Sequence, residues 1–407
     1  MINFENIIRK YSDTNLVIKI AVGIVLGVIF AFIFPKVSWL CVFGELFIGA
    51  LKAIAPILVC ILVVSSLAGG KKLRDKRFRN VLFLYLLSTI TASVVAVVMS
   101  FLFPQHLILN AQAIDIQTIP QEIGGIINNL LVKIVMNPIA SIIEGNYLGI
   151  IFWSIISGIA LKNIASEYTK IVLDDFSKCI SKLVVWIIEF APVGIFSLVY
   201  KTVTSNGIEI FTIYGKLVLL LAGCMFVVYF VTNPVIVFLT IRQNPYPLIF
   251  QCLKESGITA FFTRSSAANI PVNMALCEKL GLNLNMYSVT IPLGATVNMA
   301  GAAITISVMT LAAASTVGIQ VSFPLAVALS ILSAFGACGS SGVAGGSLLL
   351  IPMGCSLFGI SNDIAIQVVG IGFIISVIQD SLETALNSSS DVIFSAAADI
   401  YERKKGR

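Results

Sequence analysis

The chain has 407 residues, 58% of them hydrophobic and only 11% charged, with a mean hydropathy of +0.99 and a formal net charge of +6. Soluble domains run at about 45–50% apolar and about 25% charged; a globule this poor in charge could not clothe its surface, so the apolar excess must face lipid. A secreted disulfide scaffold, a disordered chain and a soluble nucleic-acid binder are thereby excluded, and nucleic acid is not a partner. The eight cysteines show no CxxC spacing and His106 is the single histidine, so a His-based metal site is excluded and the cysteines read as small hydrophobes.

In chain order, a polar stretch from Met1 to Asn15 precedes the apolar run Leu16–Phe34. This run is too long for a signal-peptide core and has no cleavage site behind it, so it reads as a retained first span. Further runs able to cross a bilayer are Leu40–Leu67, Val81–Phe103, Tyr147–Leu161, Phe176–Val203 and Lys216–Ile241. Charges inside them (Glu45, Lys52, Lys178, Lys182, Glu189, Lys216) are expected on buried faces or at tilted ends. The segment Lys71–Arg79 holds six basic residues and one acid, whereas Pro104–Gly125 carries only Asp115 and Glu122. Positive charge marks the cytoplasmic side. With the basic tail Arg403, Lys404, Lys405, Arg407, this predicts about eight spans and both termini in the cytoplasm.

Beyond Arg242 the pattern changes. Gly281–Asn362 is 82 residues without a charge, yet it holds Pro292, Pro324, Pro352 and the cluster Gly336–Ser347, GACGSSGVAGGS. A backbone loosened in this way cannot face lipid, because its amides and carbonyls would be left unpaired; it must be buried in protein or line a wet cavity. Thr263–Pro271, TRSSAANIP, has the same character. Apolar arms of about half a span flank each tip, predicting re-entrant hairpins over 244–280 and 324–358. Each is followed by an apolar segment interrupted by polar residues, Ile291–Ala303 and Ile374–Asp391. Hairpin plus broken helix, twice, is the layout of an inverted-repeat transporter. The fold class expected is an all-α polytopic membrane protein.

The segment around Asp380 carries the most chemistry. At 100° per residue, Asp380, Glu383, Thr384, Asn387 and Asp391 fall at about 0°, 300°, 40°, 340° and 20°, one arc of a helix. Charges at membrane depth are costly and face a polar cavity. Carboxylates suit an ammonium or a hard cation, Asn and Thr can donate to a carboxylate, and freed amides at the hairpin tips favour an anionic group. A zwitterion with an alkali cation fits this set.

These motifs, namely Thr263–Ser266 (TRSS), Ile291–Met299 (IPLGATVNM), the Gly-rich tip and the Asp380…Thr384…Asn387…Asp391 series, resemble those of the dicarboxylate/amino acid:cation symporter family. Ala260–Glu278 (AFFTRSSAANIPVNMALCE) looks like its bacterial sodium/serine-threonine branch. The resemblance spans nearly the whole chain and implies a glutamate-transporter-like fold and a homotrimer in the inner membrane of a bacterium. It further implies a single transporter domain, 1–407, with a scaffold mainly at 16–67 and 126–203 and a transport unit mainly at 81–103 and 213–400. By the same resemblance, Asp380 would hold the substrate ammonium and Thr384 and Asn387 its carboxylate, with Ser265, Ser266 and Val343 at the tips and Glu383 beside them. Gly294, Asn298, Asn387 and Asp391 would form one sodium site; Thr296, Met299, Ala337, Cys338 and Ser340 would form another. Gly339, Ser341, Gly342, Gly345 and Gly346 would move as a gate.

Departures from the family pattern point to the substrate. Members that carry acidic amino acids have an Arg at the position of Glu383 and a Thr at that of Ala302, both directed at a side-chain carboxylate, so serine and threonine are the expected substrates and Na⁺ the coupling ion. Ala300 stands where those members have an Asp, which leaves open a further sodium site that would use Tyr85, Ser88 and Thr89. Arg264 either pairs with Glu383 or meets substrate. Other readings are coupling to protons or another amino acid, and a channel, since a polar stripe and re-entrant tips also build selectivity filters. A serine protease at Gly339–Gly342 is excluded for want of a nearby base, His106 being in the outer loop. The chain is therefore not expected to be an enzyme.

Overall fold

The computed structural model describes residues 16–68, 76–109, 132, 134–207, 210–340 and 345–405. Every regular element among them is helical. The first five are α1 (Leu16–Ile33), α2 (Cys41–Ala68), α3 (Lys76–Leu102), α4 (Pro138–Glu144) and α5 (Tyr147–Ile164). Then come α6 (Glu167–Glu189), α7 (Ala191–Asn206), and α8 (Ile210–Val227) joined through a wider π turn to α9 (Asn233–Ile241). Among the described residues, five helical stretches are long and apolar enough to span a membrane, and six if the pair α6–α7 counts as one; Ile18–Ile33 and Gly149–Ile164 are shorter apolar helices. The chain is a multi-pass membrane protein.

The expected single span Phe176–Val203 is two helices bent by 51°. Pro192 sits in the first turn of α7, where it lacks an N–H and its ring would collide with the carbonyl four residues back. Of the charges expected on buried faces or at tilted ends, three are not buried but partnered at exposed positions: Glu45 pairs with Lys201 at 2.9 Å, Lys52 with Asp363 at 2.6 Å, and Lys178 with Asp174 at 2.5 Å.

Helices α1, α2, α5, α6 and α7 pack chiefly on one another. Gly23 and Gly27 let α1 approach α7 closely: a Cβ at either position would lie 2.5 Å from Pro192 O or 2.6 Å from Phe196 O. The α1–α2 connection is pinned to α7, where Tyr200 Oη donates to Phe34 O and Ser197 Oγ donates to Leu40 O.

The second packing group contains α3, α8, α9 and the described helices after Arg242. Hairpin 1 descends through α10 (Tyr246–Cys252), a π turn and α11 (Ile258–Thr263), then returns as α12 (Ile270–Lys279). It leads into α13 (Leu284–Val297) and α14 (Ala300–Thr316), separated by a break at Asn298–Met299. Hairpin 2 is α15 (Phe323–Ala337), then a 3₁₀ turn Gly346–Leu350 and α16 (Ile351–Leu357). It leads into α17, an unbroken helix from Asn362 to Lys405. The hairpin-plus-long-helix unit thus occurs twice, but only its first copy is broken. Polar side chains do not interrupt a helix whose backbone ladder remains intact, and α17 has no proline.

At its basic end α17 is clasped to its neighbours. Asp399, fully buried, lies against Arg77 and Arg403; Arg403 also donates to Gly281 O, and Lys404 donates to Ile241 O. Cations there meet the carbonyl ends of other helices, where the helix dipole favours them.

Small residues mediate helix contact in membranes, where close backbone approach replaces the hydrophobic drive. Gly27→Leu should wedge α1 from α7 at a cost of about 1–3 kcal/mol. A lower thermal midpoint in detergent is the expected result, and an unchanged midpoint would show that this approach contributes nothing to stability.

Candidate functional site

Four segments converge on the polar face of α17: the tip of hairpin 1, the start of the 3₁₀ turn in hairpin 2, and the two ends that meet at the α13–α14 break. Asp380, Glu383, Thr384, Asn387 and Asp391 are all buried on that face, as one helical arc requires. The partners differ from those expected. Arg264 Nε meets Asp380 Oδ2 at 2.7 Å, with both side chains nearly fully buried, so Arg264 pairs with Asp380 rather than Glu383. Its backbone explains the reach: Arg264 caps α11 in the left-handed region, φ 52°, which swings its side chain back toward α17. Its Nη1 is buried without a hydrogen-bond partner.

Asp380 Oδ1 accepts from Gly345 N at 3.3 Å, which brings hairpin 2 to the same carboxylate. Gly345 has φ 70°, and a Cβ there would lie 2.9 Å from the Phe373 ring. Both observations reserve the position for glycine. Asn387 Oδ1 accepts from Gly301 N at 2.7 Å, and Asn387 Nδ2 lies 3.4 Å from Met299 Sδ. Thr384 Oγ1 donates to Asp380 O within α17. Ser265 Oγ accepts from Ala268 N in the tip turn, and Ser266 is buried beside it. Val343, Ser341 and Gly342 lie outside the described residues.

Glu383 is held by residues the sequence did not single out. Thr305 Oγ1 at 2.7 Å, Ser347 Oγ at 2.8 Å and Gln379 Nε2 all donate to one oxygen, Oε2. Three donors on one carboxylate oxygen fix its orientation. Polar Thr305 and Gln379 in otherwise apolar helices were the available signal, with Ser347 at the end of the Gly-rich cluster.

Around Asp391 the oxygens gather. Asn298 Nδ2 donates to Asp391 Oδ1 at 2.9 Å, to Asn387 O at 3.1 Å and to Ser390 Oγ at 2.7 Å. Asn298 Oδ1 and Asp391 Oδ2 are buried with no hydrogen-bond partner. Gly294 leaves room for the Asp391 carboxylate: a Cβ there would meet Asp391 Oδ1 at 2.5 Å and Tyr85 Oη at 2.9 Å. Orphaned buried acceptors are costly, and a cluster of oxygens including a carboxylate is what a hard monovalent cation takes. In the second group, Cys338 Sγ lies 3.4 Å from Val297 O, which joins hairpin 2 to the end of α13. Thr296 Oγ1 donates to Leu293 O, Met299, Ala337 and Ser340 are buried nearby in sequence, and Gly339 and Gly346 flank the tip. Among Tyr85, Ser88 and Thr89, Ser88 donates to Asn233 Oδ1 and Thr89 to Tyr85 O, so both hydroxyls are engaged within the fold.

A second missed network fastens hairpin 1. Asn269 Nδ2 lies within hydrogen-bonding distance of Ser256 Oγ and Ser388 Oγ, Asn273 Nδ2 donates to Ser388 O, and Ser256 Oγ donates to Asn273 Oδ1. His106 lies against Ser315 at 3.4 Å.

Residues 16–400 match the sodium:dicarboxylate symporter family. The chain belongs to that family. It is 56% identical over 398 residues to a serine/threonine transporter SstT from Bifidobacterium adolescentis, covering 98% of this chain and 92% of that one. Proteins of the same description from Streptococcus agalactiae and Streptococcus thermophilus are 51% and 49% identical, over 97% and 98% of this chain and 98% and 100% of theirs.

If the oxygens around Asp391 hold a cation, filling the space at Gly294 must remove it. Purified Gly294→Ala should lose the stabilisation that sodium gives over choline, since a ligand raises stability as RT ln(1 + [L]/Kd). Helix content by circular dichroism should stay unchanged. A sodium-induced rise in midpoint equal to that of the parent chain would place the cation elsewhere.

Proposed function

We propose that the chain is a sodium-coupled symporter importing serine and threonine across the cytoplasmic membrane of a bacterium, with both termini in the cytoplasm. The observation that carries this reading is the juxtaposition on α17 of an Asp380–Arg264 pair, an Asn387 amide and the unpartnered oxygens of Asn298 and Asp391. The names of the relatives support the substrate, and the family supports the ion. An arriving ammonium takes Asp380 Oδ1 in place of the long bond from Gly345 N. The substrate carboxylate meets Asn387, Thr384 and the tip donors around Ser265 and Ser266, with Arg264 Nη1 as a further donor. Glu383 offers an acceptor to a side-chain hydroxyl and repels a side-chain carboxylate. Sodium sits at Gly294, Asn298, Asn387 and Asp391, and at Thr296, Met299, Ala337, Cys338 and Ser340. Residues 16–67 and 126–203 form the static scaffold of a homotrimer, and 81–103 with 213–400 form the unit that carries the site through the bilayer as an elevator. The two packing groups of the fold support that division.

Liposomes containing the purified chain should accumulate serine on an inward sodium gradient. Equal uptake with potassium replacing sodium would defeat the coupling, and flux proportional to concentration without saturation would favour a channel. Asp380→Asn removes a charge-assisted contact of about 1.5–3 kcal/mol, so serine affinity should fall at least about tenfold, which takes only about 1.4 kcal/mol. Unchanged affinity in a folded variant would remove Asp380 from the site.

Gating is assigned to Gly339, Ser341, Gly342, Gly345 and Gly346, because four glycines in nine residues make Gly339–Ser347 easy to rearrange. Closure follows binding only if ligands contact the closed state better than the open one. Gly345→Val puts a branched side chain at a positive φ against Phe373. It should weaken both serine and sodium binding by about tenfold or more, and the strain at this position should lower the thermal midpoint of the ligand-free protein as well. Parent-like affinities would move the gate elsewhere.

A further inference from the structure

The basic end of α17 gathers more positive charge than its own contacts consume. Arg77 and Arg403 lie against buried Asp399, Lys404 donates to Ile241 O, and Lys279 meets Glu255 at 2.7 Å. Two arginines at the same end are not spent in this way. Arg79, in the first turn of α3, lies two residues beyond Arg77, which turns it about 200° around the helix from the side that meets Asp399. Arg242 follows the last turn of α9 with φ 52°. Both are exposed, and among the described residues neither guanidinium meets a carboxylate. Glu402, beside the first turn of α3, accepts from Asn80 Nδ2 at 2.7 Å.

The two arginines sit at one depth. Helices α3 and α9 touch where Ser88 Oγ donates to Asn233 Oδ1 at 2.9 Å, with both residues fully buried. Arg79 and Arg242 each lie nine residues from that contact toward the basic end, about 14 Å along their helices at about 1.5 Å per residue. One turn back toward the contact, on the same face as each arginine, stands an exposed phenylalanine, Phe83 at 63% and Phe238 at 52%. A pair of guanidiniums thus tops two neighbouring apolar faces.

We propose that Arg79 and Arg242 hold the phosphodiester of an anionic phospholipid whose acyl chains lie over Phe83 and Phe238. The guanidinium fork matches phosphate oxygens. Two positive charges at the membrane surface favour a headgroup of net negative charge over a zwitterionic one. A soluble anion would use the arginines and leave the phenylalanines idle, whereas a lipid engages both. On the topology proposed above, this lipid belongs to the cytoplasmic leaflet. By bridging α3 to α9 it steadies the end of the unit that carries the Asp399 clasp.

The test is thermal unfolding of the purified full chain in detergent, which involves no transport, so its failure leaves the symport reading intact. Short-chain phosphatidylglycerol should raise the midpoint in a saturable way. Phosphatidylcholine of the same chain length and free glycerol phosphate should not. Arg79→Gln combined with Arg242→Gln should raise the half-saturating lipid concentration by about tenfold or more. Lys178→Gln, at the exposed pair with Asp174 on α6, should leave it unchanged. An equal shift from phosphatidylcholine would make the site an acyl groove, and an equal shift from glycerol phosphate would make it a plain anion site; either overturns the proposal. So does a parent-like response in the double variant. Should that variant fail to insert, Arg242→Gln alone leaves Lys71–Arg79 complete as a topology signal. It should still weaken the lipid by about fivefold, and an unchanged half-saturation there overturns the clamp.

Discussion

Everything in the second packing group follows from burying three carboxylates on one face of α17. A carboxylate removed from water must be given partners or it destabilises the fold by several kcal/mol. No single helix packed alongside could supply them, because regular helices spend their amides on their own ladders. Partners have to come from places where the ladder is interrupted or from side chains aimed inward. The hairpin tips and the break at Asn298–Met299 are such places. Arg264, Gly345 N, Gly301 N and Asn298 Nδ2 each come from one of them and each ends on a polar group of α17.

The two hairpins meet this demand unequally. Hairpin 1 is tied to α17 by Arg264 at its tip and by the Asn269, Asn273, Ser256 and Ser388 network along its arms. Among the described residues, the bonds from the hairpin 2 tip to α17 are one long amide contact to Asp380 and the Ser347 hydroxyl on Glu383. Segments with few and weak fastenings open at the least free-energy cost. The difference between the hairpins therefore lies in hydrogen bonding as well as in glycine content.

Much of the architecture was legible in the sequence because membranes impose simple rules. Long apolar runs located the helices, although among the described residues five or six rather than about eight reach span length, Leu16–Phe34 and Tyr147–Leu161 giving shorter ones and Phe176–Val203 a bent pair. The 3.6-residue period put Asp380 to Asp391 on one face before any partner was known. What could not be read was pairing across the chain. Arg264 turns to Asp380 because of a left-handed residue at the end of α11 and the approach angle of hairpin 1, neither of which leaves a mark in a string of residue types. The donors of Glu383 come from α14, hairpin 2 and α17 itself, and spacing within one segment cannot bring three segments together. Polar residues along α17 do not break it, because their side-chain groups find partners outside the helix and its backbone has no reason to open.

The clasp at the end of α17 puts a constraint on how this chain tolerates change. Arg77, Arg403 and Lys404 count as topology signals during insertion, when only their charge and location matter. In the finished fold the same residues neutralise buried Asp399 and close the carbonyl ends at Gly281 and Ile241. A lysine in place of Arg403 would preserve the signal and lose the guanidinium's two-sided reach. These positions therefore answer two requirements, one in the nascent chain and one in the folded protein. The second requirement is much the narrower, so drift that leaves insertion untouched can still loosen the foot of hairpin 1.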